Sequence, residues 1–420
     1  RKALIFMANA RKTAVKVLVK IEKEGTYSNL GVAEALKNSE LNLQDKSLAT
    51  AIIYGVLDRK ITLDYILSKF LKTPINKTEP FTLMVLRSAL YQIKYMDKIP
   101  ESAAVNEAVK IMKSSKFSRN SGFVNGVLRS VLRTEVEIPK GDSAEDLSVR
   151  YSCPLWIVES FLKDYGLADT KALLEESLKP APTVLRINTV KADISEIEKE
   201  YEIKENSIEL TKGIDISNSE LYKKGLVYAQ DYASQRAVEI LSPKSGDRVL
   251  DVCSAPGGKA FTMANLMGNK GEIIACDLYP HRVELIERTA KRLGLDIIKT
   301  AVADATRYNP KLGEFDCVLC DVPCSGLGVI RRKPEIKYNA LPCLEELKNI
   351  QLSILRNAVK YLKKGGKLLY STCTLRREEN EKLVISFQKE YNDLCKVYEH
   401  TFMPHKDGTD GFYCALFEKR

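Results

Sequence analysis

From residue 230 onward, short apolar strands alternate with amphipathic helices, and this alternation restricts the possible folds more than any other feature. Helical patterns at 282–293 and 344–362 separate runs that are rich in β-branched residues. Alternation of this kind predicts a parallel sheet that is covered by helices on both faces. The predicted strands are residues 247–253, 272–277, 297–304, 316–322 and 367–372.

Two further strands are predicted at 395–399 and 412–418. Only a short loop joins them, which permits an antiparallel pair but not the crossover that parallel strands need. The predicted fold class is therefore α/β and Rossmann-like, with a seven-stranded sheet whose last strand is antiparallel. This layout resembles that of the class I methyltransferases.

The first third of the chain contains helical patterns only. Apolar residues recur at helical spacing in five segments. Pro74, Pro80 and Pro100 fall between the segments, where helices should end. The five segments are residues 13–21, 62–71, 83–96, 103–112 and 123–132.

A mixed region connects these two parts. It has helical stretches at 155–165 and 170–178 and strand patterns at 183–188 and 225–229. Pro139 and Gly141 mark a linker before it. We therefore expect three domains: an all-α domain at residues 8–137, a small α+β insert at 142–229 and the α/β domain at 230–420.

The excess of positive over negative charge is confined to the helical third of the chain. Residues 1–141 contain 24 Lys and Arg against 13 Asp and Glu, whereas the remaining residues contain 41 and 42. A basic field favours a polyanionic partner with salt-dependent affinity, although many soluble domains are basic without binding nucleic acid. No stretch is apolar and long enough to span a bilayer. The ten cysteines form no regular framework, which favours a reduced, cytoplasmic environment. Met7 is a candidate start.

Residues at the ends of three successive predicted strands favour an adenosyl ligand. In a doubly wound sheet, ligands bind at the carboxyl ends of the strands. Pro256-Gly257-Gly258 follows the first strand, and glycines allow the backbone to approach a ligand closely. Asp277 ends the second strand, at a spacing suited to ribose hydroxyls, and Asp304 ends the third, within reach of an adenine amine. The alternative is that all three are ordinary turn residues.

Two cysteine motifs follow predicted strands: Asp321-Val-Pro-Cys324-Ser-Gly-Leu-Gly328 and Ser371-Thr-Cys373-Thr374. A thiolate that adds to carbon 6 of cytosine makes carbon 5 nucleophilic, after which a base removes the carbon 5 proton. Asp321 is placed to address the polar edge of the ring. Lys259 is a candidate cation for stabilising a thiolate. The pattern favours methylation of carbon 5 of cytosine in RNA.

These motifs, with Asp251-Val-Cys-Ser-Ala-Pro-Gly-Gly-Lys259, resemble motifs I, IV and VI of the RNA cytosine-C5 methyltransferases. Residues 101–110 and 122–128 resemble the RNA-binding helical domain of the antitermination factor NusB. Together they resemble the bacterial Sun/Fmu (RsmB) group, which methylates one cytosine in small-subunit (16S) ribosomal RNA. The resemblance implies that Cys373 is the nucleophile and that Cys324 helps to release the product.

The resemblance also implies S-adenosylmethionine as the cofactor and small-subunit ribosomal RNA as the partner. Ser254 stands where alanine is commoner in the family. The cofactor contacts that it implies are Cys253, Ser254, Ala255, Pro256, Gly257, Gly258, Lys259, Asp277, Arg282, Asp304 and Asp321.

No metal is expected from Cys317 and Cys320, because strand residues three apart point to opposite faces. We interpret both as small buried hydrophobic residues. A monomer is expected. The loop 331–337 is a candidate phosphate-gripping loop, with a solvated basic turn as the alternative.

Two other functions remain open. One is a cytosine-C5 methyltransferase of transfer RNA. The other is a catalytically silent RNA-binding assembly or antitermination factor, although such a relative would be expected to lose Cys373 or the Pro-Gly-Gly turn.

Overall fold

The computed structural model describes residues 9–24, 36, 39–210, 216, 219–338 and 343–420. The chain divides into two compact units. The first comprises Arg1–Lys179 and Ile330–Ala340, and the second comprises Pro180–Val329 and Leu341–Arg420. The three-domain division that the sequence suggests stays a prediction. Among the described residues, no helix is long and apolar enough to cross a membrane.

The first unit is helical, as the sequence predicts. Pro80 does not end a helix but begins one, because its missing N–H is not needed at the first helical position. The described helices are α1 (Ala10–Glu24), α2 (Leu43–Ser68), α3 (Pro80–Tyr95), α4 (Glu101–Lys113), α5 (Ser121–Arg133), α6 (Ala144–Tyr151) and α7 (Leu155–Glu176), with 3₁₀ turns at Ile75–Lys77, Ser118–Asn120 and Pro334–Tyr338.

Helix α2 is much longer than the segment 62–71 that the apolar pattern predicts. It is central in the unit, and adjacent residues such as Ile52 and Ile53 or Val56 and Leu57 are all buried. A helix that is buried on several sides loses the one-sided periodicity by which amphipathic helices are found. The prediction therefore missed its first five turns.

The loop after the Cys324 motif contributes to the first unit. The Lys337 ammonium is buried and donates hydrogen bonds to the main-chain oxygens of Asp58 (3.0 Å) and Ser152 (3.1 Å). It also lies 3.2 Å from the Asp58 carboxylate. Lys337 is therefore not available as a phosphate ligand of the predicted loop 331–337, since its donors are already used inside the protein. Phosphate binding by the rest of that loop stays a prediction.

The second unit begins with a small antiparallel sheet in the order β2-β3-β1-β4. Its strands are β1 (Thr183–Ile187), β2 (Ile203–Lys204), β3 (Ser207–Leu210) and β4 (Val227–Ala229), with short helices α8 (Ile194–Glu198) and α9 (Glu220–Lys223).

A seven-stranded sheet forms the centre of the second unit, in the order β10-β11-β9-β8-β5-β6-β7. Strand β11 alone runs opposite to the other six strands, which confirms the predicted fold class. The strands are β5 (Arg248–Asp251), β6 (Glu272–Asp277), β7 (Ile298–Val302), β8 (Phe315–Asp321), β9 (Leu362–Thr372), β10 (Leu394–Phe402) and β11 (Phe412–Lys419), and the helices are α10 (Tyr232–Leu241), α11 (Gly258–Leu266), α12 (Pro280–Leu293), α13 (Leu344–Ala358), α14 (Glu381–Gln388) and α15 (Pro404–Asp407).

Apolar clusters cover both faces of this sheet. Cys317 lies in one cluster with Phe261, and Cys320 lies in the other with Leu355. Both cysteines are almost fully buried. Their burial on opposite faces confirms the interpretation of this pair as small hydrophobic residues.

Candidate active site

The two cysteine motifs leave the carboxyl ends of neighbouring strands. Strands β8 and β9 are parallel, and Asp321 is in register with Ser371. Parallel strands in register deliver the following loops to the same edge of a sheet. The sheet order thus brings the two motifs together, although 49 residues separate Cys324 from Cys373.

The two thiols are in contact, with 3.3 Å between their sulfur atoms. The main chain holds their loops together, because Gly328 N donates to the Cys373 carbonyl (2.9 Å) and Gly411 N donates to the Gly328 carbonyl (2.9 Å). A Cβ on Gly328 would lie 1.9 Å from the Gly411 oxygen. Only glycine permits this approach.

The environment of Cys324 favours its protonated form. A hydrogen bond with Cys373, burial and the nearby Glu379 carboxylate together raise the pKa of the Cys324 thiol well above its usual range. A thiol with a raised pKa carries little thiolate at neutral pH and is a weak nucleophile.

Asp321 and Lys259 form an ion pair beside the thiols. The Lys259 ammonium lies 2.7 Å from Asp321 Oδ2, and the Ser371 hydroxyl donates to Asp321 Oδ1 at 2.8 Å. Burial alone would lower the pKa of Lys259, but the Asp321 carboxylate outweighs it and Cys373 adds to the effect, so that the pKa of Lys259 is raised. A permanent cation therefore stands close to Cys373.

The turn between β5 and α11 presents main-chain groups at the same edge. Ser254 N donates to the Cys276 carbonyl and Gly257 N to the Ser254 carbonyl, each at 2.7 Å. Gly257 has a φ of 105°, and a Cβ there would lie 2.4 Å from the Phe261 ring. The turn thus needs glycine at this position, and α11 begins directly after it.

This turn lines a cavity of ≈ 170 Å³. Asp251 lies at its base, and neither of its carboxylate oxygens accepts a hydrogen bond of standard geometry from the described residues. Burial raises the pKa of Asp251 to about 7, although the Ser254 hydroxyl and Lys259 lower it. The lining residues are Ala229, Gln230, Asp231, Ser234, Asp251, Cys253, Ser254, Ala255, Pro256, Gly258, Lys259 and Asp321.

The cavity fits the charged end of S-adenosylmethionine. Buried polar atoms without a partner are costly, and ligands commonly satisfy them. Besides Asp251, the Gln230 amide nitrogen lacks a hydrogen-bond partner among the described residues, and the Ser254 hydroxyl makes no hydrogen bond of standard geometry with them. Acceptors for an ammonium and donors for a carboxylate are therefore available in one place.

Three predicted cofactor residues lie outside this cavity. Asp277 is buried at the end of β6 and accepts from Tyr279 N (3.1 Å), and the exposed Arg282 guanidinium is 4.0 Å away. Asp304, just beyond β7, accepts from the main chain (2.9 Å) and the hydroxyl (2.6 Å) of Thr306, and these bonds lower its pKa. Asp277 and Asp304 lie at or just beyond the ends of β6 and β7, and Arg282 lies in the first turn of α12, which follows β6.

Sequence reasoning missed three residues of the site. In the sequence, Asp251 stands out only as the first residue of a motif, and residue 230 only as the start of the α/β alternation, although a position directly before the first α/β unit is a usable signal. Glu379 was not singled out, since a lone glutamate in a charged stretch carries no local signal. Among the described residues, no group of three or more His, Cys, Asp or Glu could hold a metal.

Three family models match the chain. The model described as 16S rRNA methyltransferase RsmB/F matches residues 238–418, the NusB family matches 8–133, and the RsmF/B-like ferredoxin-like domain matches 153–234.

Relatives match along the whole length. The probable ribosomal RNA small subunit methyltransferase B of Bacillus subtilis is 38% identical over 98% of this chain and 99% of its own, and that of Synechocystis is 32% identical over 98% and 100%. The crystal structure of PH0851 superposes with a TM-score of 0.82 at 25% identity, covering 98% of this chain and 99% of that one.

Proposed function

We propose a specific reaction for this chain, which belongs to the ribosomal RNA small subunit methyltransferase B family and is an RNA methyltransferase. The chain methylates carbon 5 of a cytosine in small-subunit ribosomal RNA. The observation that carries the proposal is the pair of thiols at 3.3 Å beside the Lys259–Asp321 ion pair and the cavity. Methylation at oxygen or nitrogen needs no thiol, whereas methylation at carbon 5 needs one.

The two thiols have different roles in this proposal. The Cys373 thiolate uses an electron pair to form the C–S bond at carbon 6, and the C5–C6 π pair of the ring shifts to make carbon 5 nucleophilic. Carbon 5 then takes the methyl group, and the bond between that group and the cofactor sulfur breaks with its electron pair left on the sulfur. A base removes the carbon 5 proton, the C5–C6 double bond re-forms, and the C–S pair returns to Cys373. The positive charge of Lys259 near Cys373 supports the assignment of Cys373 as the attacking thiolate. The raised pKa of the Cys324 thiol supports the assignment of Cys324 to product release.

Asp321 and Lys259 hold the target ring by its polar edge. The carboxylate and the ammonium are 2.7 Å apart and together offer an acceptor and donors. Because the ring must reach this edge, the cytosine has to leave its stack. S-adenosylmethionine, when bound, supplies the electrophilic methyl group.

The turn of residues 253–259 would hold the charged end of the cofactor, and Asp277, Arg282 and Asp304 would hold its adenosyl end. The cavity with its unsatisfied polar atoms supports the first part of this assignment. The second part is supported by the position of Asp277 and Asp304 at or just beyond two successive strand ends, and of Arg282 in the helix that follows β6.

Labelled methyl transfer tests the proposal. The protein is incubated with labelled S-adenosylmethionine and either deproteinised small-subunit ribosomal RNA or transfer RNA, and the modified position is mapped. We expect 5-methylcytosine at one position of the ribosomal RNA. Labelling of transfer RNA alone would favour the transfer RNA alternative, and no labelling of either would favour a silent assembly factor.

A further inference from the structure

A buried carboxylate connects the two cysteine loops. Glu379, in the turn after Cys373, has no exposed surface. Its Oε2 accepts from Ser325 N (2.9 Å) and from the Gln351 amide (3.0 Å), and its Oε1 accepts from the Ser325 hydroxyl. Three donors on two other segments therefore converge on one carboxylate.

The hydroxyl of Ser325 extends this contact to the other loop. It lies 2.7 Å from the Thr374 hydroxyl. Because the Ser325 hydrogen is donated to Glu379, the Thr374 hydroxyl must donate to Ser325. The resulting chain runs from Thr374 through Ser325 to Glu379, and its first two members directly follow the two cysteines.

The residues on the other side of the thiols are held by Gln351 of α13 and by Asn380, which follows Glu379. Gln351 also donates to the Pro323 carbonyl (3.0 Å), which precedes Cys324. Asn380 accepts from the Thr372 hydroxyl (2.6 Å) and donates to the Thr374 carbonyl (2.9 Å). Each cysteine is thus flanked on both sides by residues that this network holds.

A fully buried carboxylate is costly unless several hydrogen bonds compensate for its lost hydration. A structural role alone could be filled by apolar residues of similar volume, often without loss of stability. The network instead contacts the residues that flank the two cysteines, so it sets the relative position of their sulfur atoms. Catalysis is sensitive to the relative position of reacting groups.

We propose that Glu379 is a positioning residue that keeps the thiols of Cys324 and Cys373 in contact, acting through Ser325 and Thr374. The effect of Glu379 on catalysis rests on the proposed function, whereas its effect on the distance between the two thiols does not. Loss of the network would let the two loops move apart. The attacking and releasing groups would then no longer reach the same ring.

The test measures the distance between the thiols directly. Dibromobimane forms one C–S bond with each thiol, releasing two bromides and two protons, and it fluoresces only after both bonds have formed. Mass mapping of the Cys324–Cys373 cross-link separates it from reaction at the other cysteines. No RNA or cofactor is needed, so the readout is independent of the proposed activity.

The variants are Thr374→Val, Thr374→Ser and Glu379→Gln. Thr374→Val removes the hydroxyl with little change of shape, and Thr374→Ser keeps it. The matched control is Thr401→Val, because the Thr401 hydroxyl also donates to a glutamate, Glu381 (2.9 Å), at the start of α14. Thermal unfolding identifies any variant that does not fold.

We expect cross-linking to slow about tenfold in Thr374→Val and at least as much in Glu379→Gln, as loss of one to two buried hydrogen bonds suggests. Thr374→Ser and Thr401→Val should stay within about twofold of the wild type. If Glu379→Gln fails to fold, the two Thr374 variants decide.

Wild-type cross-linking rates in folded Thr374→Val would overturn the proposal, and so would failure of the wild type to cross-link. If the wild type cross-links as expected but transfers no methyl group to RNA, the proposed function fails while the positioning role of Glu379 stands.

Discussion

At the scale of single residues, we expect the reactivity of Cys373 to depend on the charge of Lys259 beside it. Removing the Lys259 ammonium would leave the half-buried Asp321 carboxylate without its cation, and a nearby anion raises the pKa of a thiol. We therefore expect Lys259→Met to slow alkylation of Cys373 by iodoacetamide about tenfold at neutral pH. Lys299→Met is the control, since Lys299 pairs with Glu272 on an exposed surface. An unchanged alkylation rate of Cys373 would show that Lys259 does not stabilise its thiolate.

The separate roles that we propose for the two thiols give a second prediction. Cys373→Ala should abolish methyl transfer and leave cofactor binding intact, because only the attacking group is lost. Cys324→Ala should still form the adduct but trap RNA on the protein, visible as a complex that survives denaturant. Cys343→Ala, at an exposed cysteine, should behave as wild type. Turnover by Cys373→Ala would reassign the nucleophile, and absence of a trapped complex would argue against a release role for Cys324.

The raised pKa of Asp251 leads us to expect an unusual dependence of the unfolding free energy on pH. Its pKa is raised to about 7 in the folded protein, so the native state keeps a proton that the unfolded chain has lost. This contribution to stability is complete below the ordinary carboxyl range and disappears as the pH rises towards 7. The free energy of unfolding without cofactor should therefore fall with rising pH by at most about 1.4 kcal/mol per unit.

Urea unfolding of the wild type and Asp251→Asn across this range provides the measurement. The variant cannot ionise at this position, so its unfolding free energy should depend less steeply on pH. Parallel pH profiles would contradict the assignment. A cation bound beside Asp251 would lower its pKa again, so cofactor binding near neutral pH should release protons, detectable by calorimetry in buffers of different ionisation enthalpy.

At the scale of helices and strands, the sequence predicts elements whose apolar residues recur at a regular spacing. It misses features that depend on tertiary contacts. All seven strands of the large sheet were found, because parallel strands read as apolar runs. Helix α2 was mostly missed because it is buried on several sides. The predicted helical stretches at 155–165 and 170–178 are confirmed as two helical segments of α7, because Gly166 between them has a non-helical φ of 73° and ψ of 178°.

The same limit applies to the candidate site. Strand-end residues such as Asp321 and Cys373 could be predicted, because the carboxyl edge of the sheet follows from strand order. Glu379 could not, since its role arises only when three segments meet around it. Nor does any local pattern reveal that Lys337 is buried in the helical unit.

The close approach of the loops after β8 and β10 gives a prediction at this scale. Gly328→Ala places a Cβ 1.9 Å from the Gly411 oxygen, so the loops must separate. We expect a loss of about 1–3 kcal/mol in unfolding free energy and a large loss of methyl transfer. Gly126→Ala is the control: Gly126 lies inside α5 with open space around it, so alanine should stabilise by about 0.5–1 kcal/mol. Wild-type stability of Gly328→Ala would show that the loops are not held this closely.

At the scale of the whole molecule, the uneven charge predicts where RNA affinity originates. The N-terminal third holds the net positive charge, while the remainder is nearly neutral. Each phosphate neutralised by a cation releases counterions, so the logarithm of affinity falls linearly with the logarithm of salt concentration. Exposed basic residues of the helical unit should therefore set the slope. Lys113, Lys116 and Arg119, near the junction of α4 and α5, are all exposed.

A triple change of these residues to glutamine tests this origin. Binding of ribosomal RNA is measured over a range of salt in a Cys373→Ala background, which prevents a covalent adduct. We expect the slope to become shallower by about 0.7–0.9 for each phosphate that the variant no longer neutralises. The matched control replaces three exposed lysines of the second unit, Lys311, Lys364 and Lys389. Equal reductions in both triple variants would mean that affinity follows total charge, and an unchanged slope in the first would place the RNA-binding surface elsewhere on the chain.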